Sequence, residues 1–505
     1  VSNGKDRGSM LTGLDRLILR LSPKRGLSRL MARRQAEVVM QYDAATRGRR
    51  SSGWRAPSTS ADAAAYANGG RAQMRNLARD FVRNRPFARR GIDVIVSNVV
   101  GTGVMPSVEA NDERARESAA LVIREHLMTP AIDAMGQHNI KWMQRLACAA
   151  VVSDGEVLLR RRWRQGRFAA DLVLPFQIEM LEADYLNDTL TKWGANIVRE
   201  GVEYGPTGRI EAYHLFREHP GTVGFLQFPR ASERVPASDI IHMRRCDRPG
   251  QTRGVTWFAP VMLTLGDLSD YQEAEIVKQK IAALMAGFIT SEHEADGVAL
   301  GGEEEADVQG LGDIGPGTLT ALPPGKGITF TTPPKVDGYD GFMRQNLAAV
   351  AMGLGITYEA LAGDLSNVNF SSGRMGRMEM DRNVEAWQQE IIVDQMCRGI
   401  ERWINEAWLL RIVTLGSPDF SLNWTAPRRS LIDPTKEIPA IIKKVEGGLS
   451  SMQREQRQLG LDPDVIARER AEDAARGAVV APAAPIATAA QAPAAPPAPV
   501  AQQEE

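Results

Sequence analysis

Cysteine is scarce in this chain. Only Cys148, Cys246 and Cys397 occur in 505 residues, far apart and in no CxxC pair. That set excludes a disulfide framework and a cysteine zinc site, and leaves buried free thiols as the expectation. Long apolar runs are missing too. None reaches the ~18 residues of a membrane-spanning helix, so no membrane partner is expected. Leu17-Ile18-Leu19 is too short for the apolar core of a secretory signal. The chain begins at Val1 with Met10 just before Leu11, which reads as an alternative start or a short leader.

Catalytic signatures are also absent: no HExxH, no GxSxG, no glycine-rich dinucleotide fingerprint after a strand. Pro323-Pro324-Gly325-Lys326-Gly327 invites comparison with a phosphate-binding loop. It fails, because Thr320 stands where the first glycine is required and Gly327 where Ser or Thr would hold magnesium. Asp154 and Glu156 flank Gly155 and could pair on a metal, but a solvated turn before a strand is the plainer reading. His214, His219 and His242 lack ligand spacing and read as structural. No catalytic residue, metal or cofactor is expected.

What is present is a balanced but lopsided charge. The formal net charge is -1, yet residues 1–90 hold 20 Lys and Arg against 6 Asp and Glu. A basic head on an acidic body suits a polyanionic or acidic partner, or simply a solvated arm. Residues 71–85 and the run after Pro86 have helical patterns, the second with Ile92, Ile95, Val96 and Val99 on one face, closed by Gly101-Thr102-Gly103. From Val157 to Met243 strand signals dominate, at 157–159, 176–181, 210–215 and 240–243, with a turn at Gly205-Pro206-Thr207-Gly208. A small β-rich layer is expected there. After Arg248-Pro249-Gly250-Gln251-x-Arg253-Gly254 comes a helix whose first turn holds Pro260. Val261, Leu265, Leu268, Ile276 and Leu284 are its apolar positions. Residues 291–340 carry ten acidic residues against Lys326 and Lys335, among short strand signals.

The most informative stretch is 337–410. A short helix over 342–352 ends at Gly353 and Gly355. A polar loop follows from Gly363 to Arg374, and then a proline-free helical run from about Ser371 to Leu410. Ser371 or Ser372 is the expected cap. Val384, Trp387, Ile391, Ile392, Met396, Ile400, Trp403, Ile404 and Trp408 form its apolar stripe. At ~1.5 Å per residue this strut would be roughly 60 Å long. Asp433-Pro434-Thr435-Lys436 opens a further helical region, broken at Gly447-Gly448 and Leu461-Asp462-Pro463. The Ala/Pro-rich end cannot bury a core.

Asp364-x-Ser366-x-x-Asn369-Phe370-Ser371-Ser372-x-Arg374, set between two helices, resembles the signature of the lambda-type family of phage portal proteins. Tyr42-Asp43-Ala44-Ala45 with Arg49-Arg50 and Trp54, and the Arg248–Gly254 stretch, are further landmarks of that family in its order. The resemblance spans about 42–464. It implies an α+β portal fold with a mixed α/β wing, helical stem, small α/β clip, long wing helix, helical crown and disordered C-terminal tail. Mapped onto this sequence, 1–70 is a basic arm, 71–254 the first part of the wing and 255–286 the first stem helix. The clip is then 287–337, the second stem helix 338–356 and the channel loop 357–373. The long wing helix with its following strand takes 374–430, the crown 431–476 and the tail 477–505. The family likeness further implies a homo-oligomeric ring, twelve subunits in assembled members, at the portal vertex of a virion built in the bacterial cytoplasm. Double-stranded DNA passes through it. Terminase large subunit, major capsid or scaffold protein and a head-tail connector protein are the implied partners. On this likeness Asp364, Leu365, Ser366, Asn367, Val368, Asn369 and Phe370 form the constriction, and Arg374 is a candidate DNA contact. Arg377 is expected to pair with Asp381 instead. A packaging enzyme, such as a nuclease or terminase-like ATPase, and a monomeric nucleic-acid-binding protein are the competing classes.

Overall fold

A computed structural model describes residues 70–222, 231–283, 287–291, 326–330, 338–366, 368–428, 433–461 and 463–476. The basic arm with Tyr42 and Trp54, nearly all of the acidic run, Asn367 and the C-terminal tail lie outside the described residues. The chain divides into two compact units, Val1–Trp424 and Thr425–Glu505. Both helices and several antiparallel sheets are present, so the chain is α+β as expected.

The first unit opens with α1 (Arg71–Asn84) and α2 (Pro86–Val99). Arg85 between them is extended, as the residue before a proline must be, and Pro86 takes the first helical position, where its missing N–H costs nothing. Ile92, Ile95, Val96 and Val99 are buried, and Gly101 and Gly103 both have positive φ, at 53° and 107°. After β1 (Met105–Ala110) and α3 (Glu113–Val122), α4 (Ile140–Asp154) runs into β2 (Glu156–Trp163). β2 is the centre of a three-stranded antiparallel sheet, between β3 (Phe176–Glu182) and β9 (Ile240–Arg244). A second antiparallel sheet runs in order through β4 (Lys192–Trp193), β5 (Asn196–Arg199), β6 (Val202–Tyr204), β7 (Ile210–Phe216) and β8 (Ser232–Pro236). Leu158, Leu181, Val202, Tyr213, Leu215 and Val235 join the two sheets in one apolar cluster. The four strands expected between Val157 and Met243 are all there.

The turn at Asp154-Gly155-Glu156 corrects the solvated reading. Both carboxylates are buried. Asp154 accepts from Arg79 of α1 at 2.5 Å. Glu156 accepts from Arg253 at 2.7 Å, from the Gly254 N–H at 2.9 Å and pairs with His242 at 2.8 Å. Arg253 also donates to the carbonyls of Glu200 and Ala183. Burial pushes the Glu156 carboxyl up, but Arg253 and His242 outweigh it and hold it well below the usual carboxylate range. The glycines are required by contact. A Cβ on Gly254 would meet the Gly155 carbonyl oxygen at 2.1 Å, and one on Gly155 would meet Val255 backbone at 2.4 Å. The Arg248–Gly254 landmark is therefore a structural clamp, pinning the chain just before the next helix to the start of β2.

α5 (Met262–Ala283) follows, beginning two residues after Pro260, which sits in the preceding turn and not in the first helical turn. Leu265 and Leu268 are buried near its start, whereas Ile276 and Val277 further along are exposed. β10 (Gly287–Ser291) and β11 (Lys326–Phe330) pair antiparallel, so Lys326 and Gly327 of the phosphate-loop lookalike lie in a strand. α6 (Tyr339–Leu354) returns beside α5, with Tyr271 stacked on Tyr339 at 5.7 Å and against Phe342 at 4.5 Å. Gly355 alone caps α6, in the left-handed conformation. Gly353 is inside the helix, for another reason: a Cβ there would strike Val261 Cγ1 at 2.2 Å. It lets α6 close onto the root of α5.

The long strut is continuous from 370 to 409 but not all α. α8 (Phe370–Trp387) passes into a π-helical segment (Gln388–Cys397) and then α9 (Arg398–Leu409). The wider π turn aims two glutamines at neighbouring chain ends. Gln388 donates to the carbonyls of Asn98 and Val99 at the end of α2, and Gln395 exchanges bonds with the Arg244 backbone at the end of β9. The expected stripe is buried from Val384 to Trp408, with Trp387 only half-buried. α10 (Ile412–Leu415) and β12 (Phe420–Thr425) complete this part, and β12 pairs with β1.

Burial sets the acid response of this unit. His126 is fully buried against Phe176, and desolvation, offset only in part by the Phe176 backbone, lowers it from 6.5 to about 4. Burial and Arg244 bring His242 to about 4 as well, against the opposing pull of Glu156. Between about pH 6.5 and 4 the unfolded chain therefore binds protons that the native one refuses, and stability falls as pH falls through that window. His126 alone contributes about 3 kcal/mol to this loss. Denaturant midpoints across the window should fall, and His126→Leu should flatten part of the slope; an unchanged slope contradicts the assignment.

Candidate functional site

The polar loop is built from both ends. α7 (Tyr358–Ala362) is a short helix capped at its start by Thr357 and closed by Gly363 at φ 72°. Arg90 donates to the Ala360 carbonyl, tying α7 to α2. The loop proper is 363–369, shorter than the stretch expected from sequence, because Phe370 to Gly373 already form the first turn of α8. The cap is Asn369 and not Ser371. Its side chain accepts from the Ser372 N–H at 2.8 Å, while the Ser372 hydroxyl lies 3.1 Å from the Asn369 N–H and accepts from it. This is a reciprocal capping box, with Ser372 in the place usually held by Glu or Gln. Asn383 of α8 reaches back to the Gly355 carbonyl, closing the frame from the α6 side.

Within that frame the predicted residues fall as follows. Asp364 is half-buried and accepts from the Ser366 N–H at 3.0 Å, the Ser366 hydroxyl at 2.6 Å and the Tyr358 hydroxyl at 3.2 Å. The Ser366 bonds, chiefly that of its hydroxyl, lower the Asp364 carboxyl below its ordinary value, so it stays ionised. Leu365 is 66% exposed, and Ser366 and Asn369 are exposed too. Val368 is half-buried, and its methyl lies where a Cβ on residue 373 would be, 2.9 Å away, so Gly373 makes room for it. Phe370 is the first residue of α8, and Asn367 is outside the described residues. Arg374 is exposed, in the second turn of α8. Met375 at 72% and Met378 at 57% exposure follow it. Tyr358, which holds Asp364 while lying under Arg344, was missed from sequence. Nothing in spacing alone joins a tyrosine in one element to the loop after it.

Elsewhere, Glu182, Asp184 and His219 approach one another closely enough to share a cation. The Arg79 guanidinium already donates to both carboxylates, at 2.9 and 2.8 Å. His214 is buried beside Glu203, which Arg234 also pairs. These side chains hold one another within the fold.

A helix pair, an antiparallel strand pair, a capped polar loop and a long strut thus follow one another along the chain. A family model described as phage portal protein, lambda family, matches residues 47–388. The chain belongs to that family, and its function is that of a portal protein, a structural and not an enzymatic family. It is 26% identical to the probable portal protein of Halomonas phage phiHAP-1, over 88% of this chain and 88% of that one. It is 25% identical to the portal protein of Escherichia phage N15, over 84% of this chain and 88% of the relative. The identity to portal protein B of Escherichia phage lambda is also 25%, over 84% and 87%. Among solved structures it is similar to the neck of a native GTA particle computed with C12 symmetry. The TM-score there is 0.45 at 14% identity, over 78% of this chain and 94% of that one. No helix among the described residues is long and apolar enough to cross a membrane.

Proposed function

We propose that this portal subunit closes with its own copies into a ring of about twelve around an axis, in which the loop 364–369 of each copy lines the narrowest passage for double-stranded DNA. The observation that carries the reading is the loop's chemistry. Leu365, Ser366 and Asn369 are exposed, capped helices frame the loop on both sides, and its one charge, Asp364, is bound by Ser366 and Tyr358. A duplex carries one charge per ~1.7 Å of axis, so a basic constriction would grip it, whereas a neutral to mildly acidic one lets it slide. Met375 and Met378 on α8 and Ile276 and Val277 on α5, exposed in the single chain, are surfaces that neighbouring copies would cover.

In this reading α5 and α6 are the stem, residues 287–337 the clip and 431–476 the crown. Terminase large subunit docks on the clip and supplies the energy, since the chain carries no phosphate-binding loop of its own and acts without catalysis. Major capsid or scaffold protein surrounds the ring, the head-tail connector protein extends it, and the assembly sits at the portal vertex of the virion. The mass of the purified full chain, with images of the particles, tests this. A ring of about a dozen copies with an axial hole is expected. A monomer at every salt and protein concentration, with or without scaffold and capsid protein, overturns it.

A further inference from the structure

The face of the second sheet that carries the apolar cluster runs on into an open cleft. Directly opposed residues of antiparallel strands share a face, so Ile197, Tyr204 and Ile210 stand together, with Arg199 two residues along β5. Tyr204 and Ile210 pack on the cluster, whereas Ile197 is 57% exposed. The facing wall runs from the end of β9 into the clamp, and contributes Arg244, Gly250, Gln251 and Thr252. The cavity between them measures about 600 Å³, within the range of ligand sites. Both walls are fixed. The Tyr204 hydroxyl donates to Thr252 Oγ1 at 3.0 Å across the cleft. Gln251 accepts from the Asp247 and Arg248 N–H groups and donates to the Arg253 carbonyl, which holds the loop in shape. Gln395 of the strut anchors the Arg244 backbone by two bonds of 2.9 Å.

The charge of the cleft is uncompensated. Arg244 is half-buried, and its guanidinium makes one long bond, from Nη1 to the His242 carbonyl at 3.5 Å, while Nε is buried without a partner. Among the described residues no carboxylate pairs with it, and none lines the cleft. The sheet's own acids are on its other side: Glu203 and Glu211 both accept from Asn196, and Glu203 is further paired by Arg234. Exposed Arg199, over the Tyr204 ring at 5.9 Å, adds positive charge to the same wall. A guanidinium without a counter-charge, set beside Ile197 and Ile210, suits one carboxylate carried next to an apolar side chain. A DNA duplex is too wide for a cavity of this size, and proteins hold it through many phosphate contacts where this cleft offers two arginines. We propose that the cleft docks a short acidic segment of a partner protein, its Glu or Asp carboxylate on Arg244 and the neighbouring apolar side chain on Ile197 and Ile210. The cleft is complete within one subunit and needs no second copy.

The test takes the full chain with labelled isoleucine δ1 methyl groups, and the blocked peptide acetyl-Ala-Leu-Glu-Leu-Ala-amide as probe. The Ile197 and Ile210 signals should shift saturably, while those of the fully buried Ile95 and Ile400 stay in place. The same peptide with Gln for Glu should bind roughly tenfold more weakly, and Arg244→Gln should bring the two peptides level. Arg244→Lys keeps the charge and should retain part of the preference, with unmoved Ile95 and Ile400 signals showing that both variants fold. No saturable shift overturns the proposal, as does equal binding of the two peptides to the parent chain. Sodium acetate or inorganic phosphate moving the two methyls as the peptide does would mark a bare anion site and overturn it. A DNA duplex moving them where the peptide does not would reassign the cleft to nucleic acid. If Glu303→Gln, Glu304→Gln and Glu305→Gln together move the two signals with no peptide present, the occupant is the chain's own acidic run and the proposal fails.

Discussion

Arg253→Ala should cost about 3–5 kcal/mol of stability, the penalty for stranding a buried charge. Its guanidinium neutralises Glu156, which is fully buried, and also satisfies two carbonyls on separate segments, Glu200 and Ala183. Removing it leaves Glu156 with His242, which burial keeps neutral near pH 7. The carboxylate would then take up a proton or draw in water, and the clamp between β2, β9 and the segment leading into α5 would loosen. Replacing both partners together, Glu156→Leu with Arg253→Met, should cost less than the single change, because no buried charge is left unpaired. Denaturant unfolding of the full chain measures both. A loss below about 1 kcal/mol for Arg253→Ala would show that the pair is not the clamp described.

Ser366→Arg is expected to have the largest effect on function. The substitution adds one cation to each loop, and cyclic symmetry multiplies it into a ring of guanidinium groups around the DNA. It also removes the hydroxyl that binds Asp364. Each added phosphate contact steepens the salt dependence of DNA binding by about one unit of log–log slope, so a ring of them acts as a brake. DNA uptake into assembled heads should slow roughly tenfold or more at low salt and recover as salt rises. Ser366→Asn, neutral and able to donate to Asp364, should stay within about twofold of the parent. Uptake unchanged by Ser366→Arg would place the constriction elsewhere.

Much of this was legible in the sequence, for identifiable reasons. The stripe from Val384 to Trp408 is a local periodicity, and local periodicity reports the buried face directly; β2, β3, β7 and β9 were legible as short runs of strand-forming residues, although β2 and β9 are buried on both faces. The burial of Asp154 and Glu156 was not legible. Their partners, Arg79 and Arg253, stand 75 and 97 residues away, and only the fold brings them together. Gly353 reads as a helix terminator until Val261 is seen against it. At the loop, the residue types and position were readable, but the true cap and the Tyr358 bond were not. Two serines compete with Asn369 for the capping role on propensity alone, and geometry decides between them.

The central claim is that the loop between α7 and α8 forms the constriction. The most direct measurement is the structure of the assembled ring at side-chain resolution, in which the radius of the axial passage is traced residue by residue. The account predicts that the minimum falls at 364–369, with the Leu365 and Ser366 side chains nearest the axis and α5 and α6 enclosing the passage on the clip side. A minimum formed by α5, by the clip or by the crown, with the loop turned away from the axis, would contradict it.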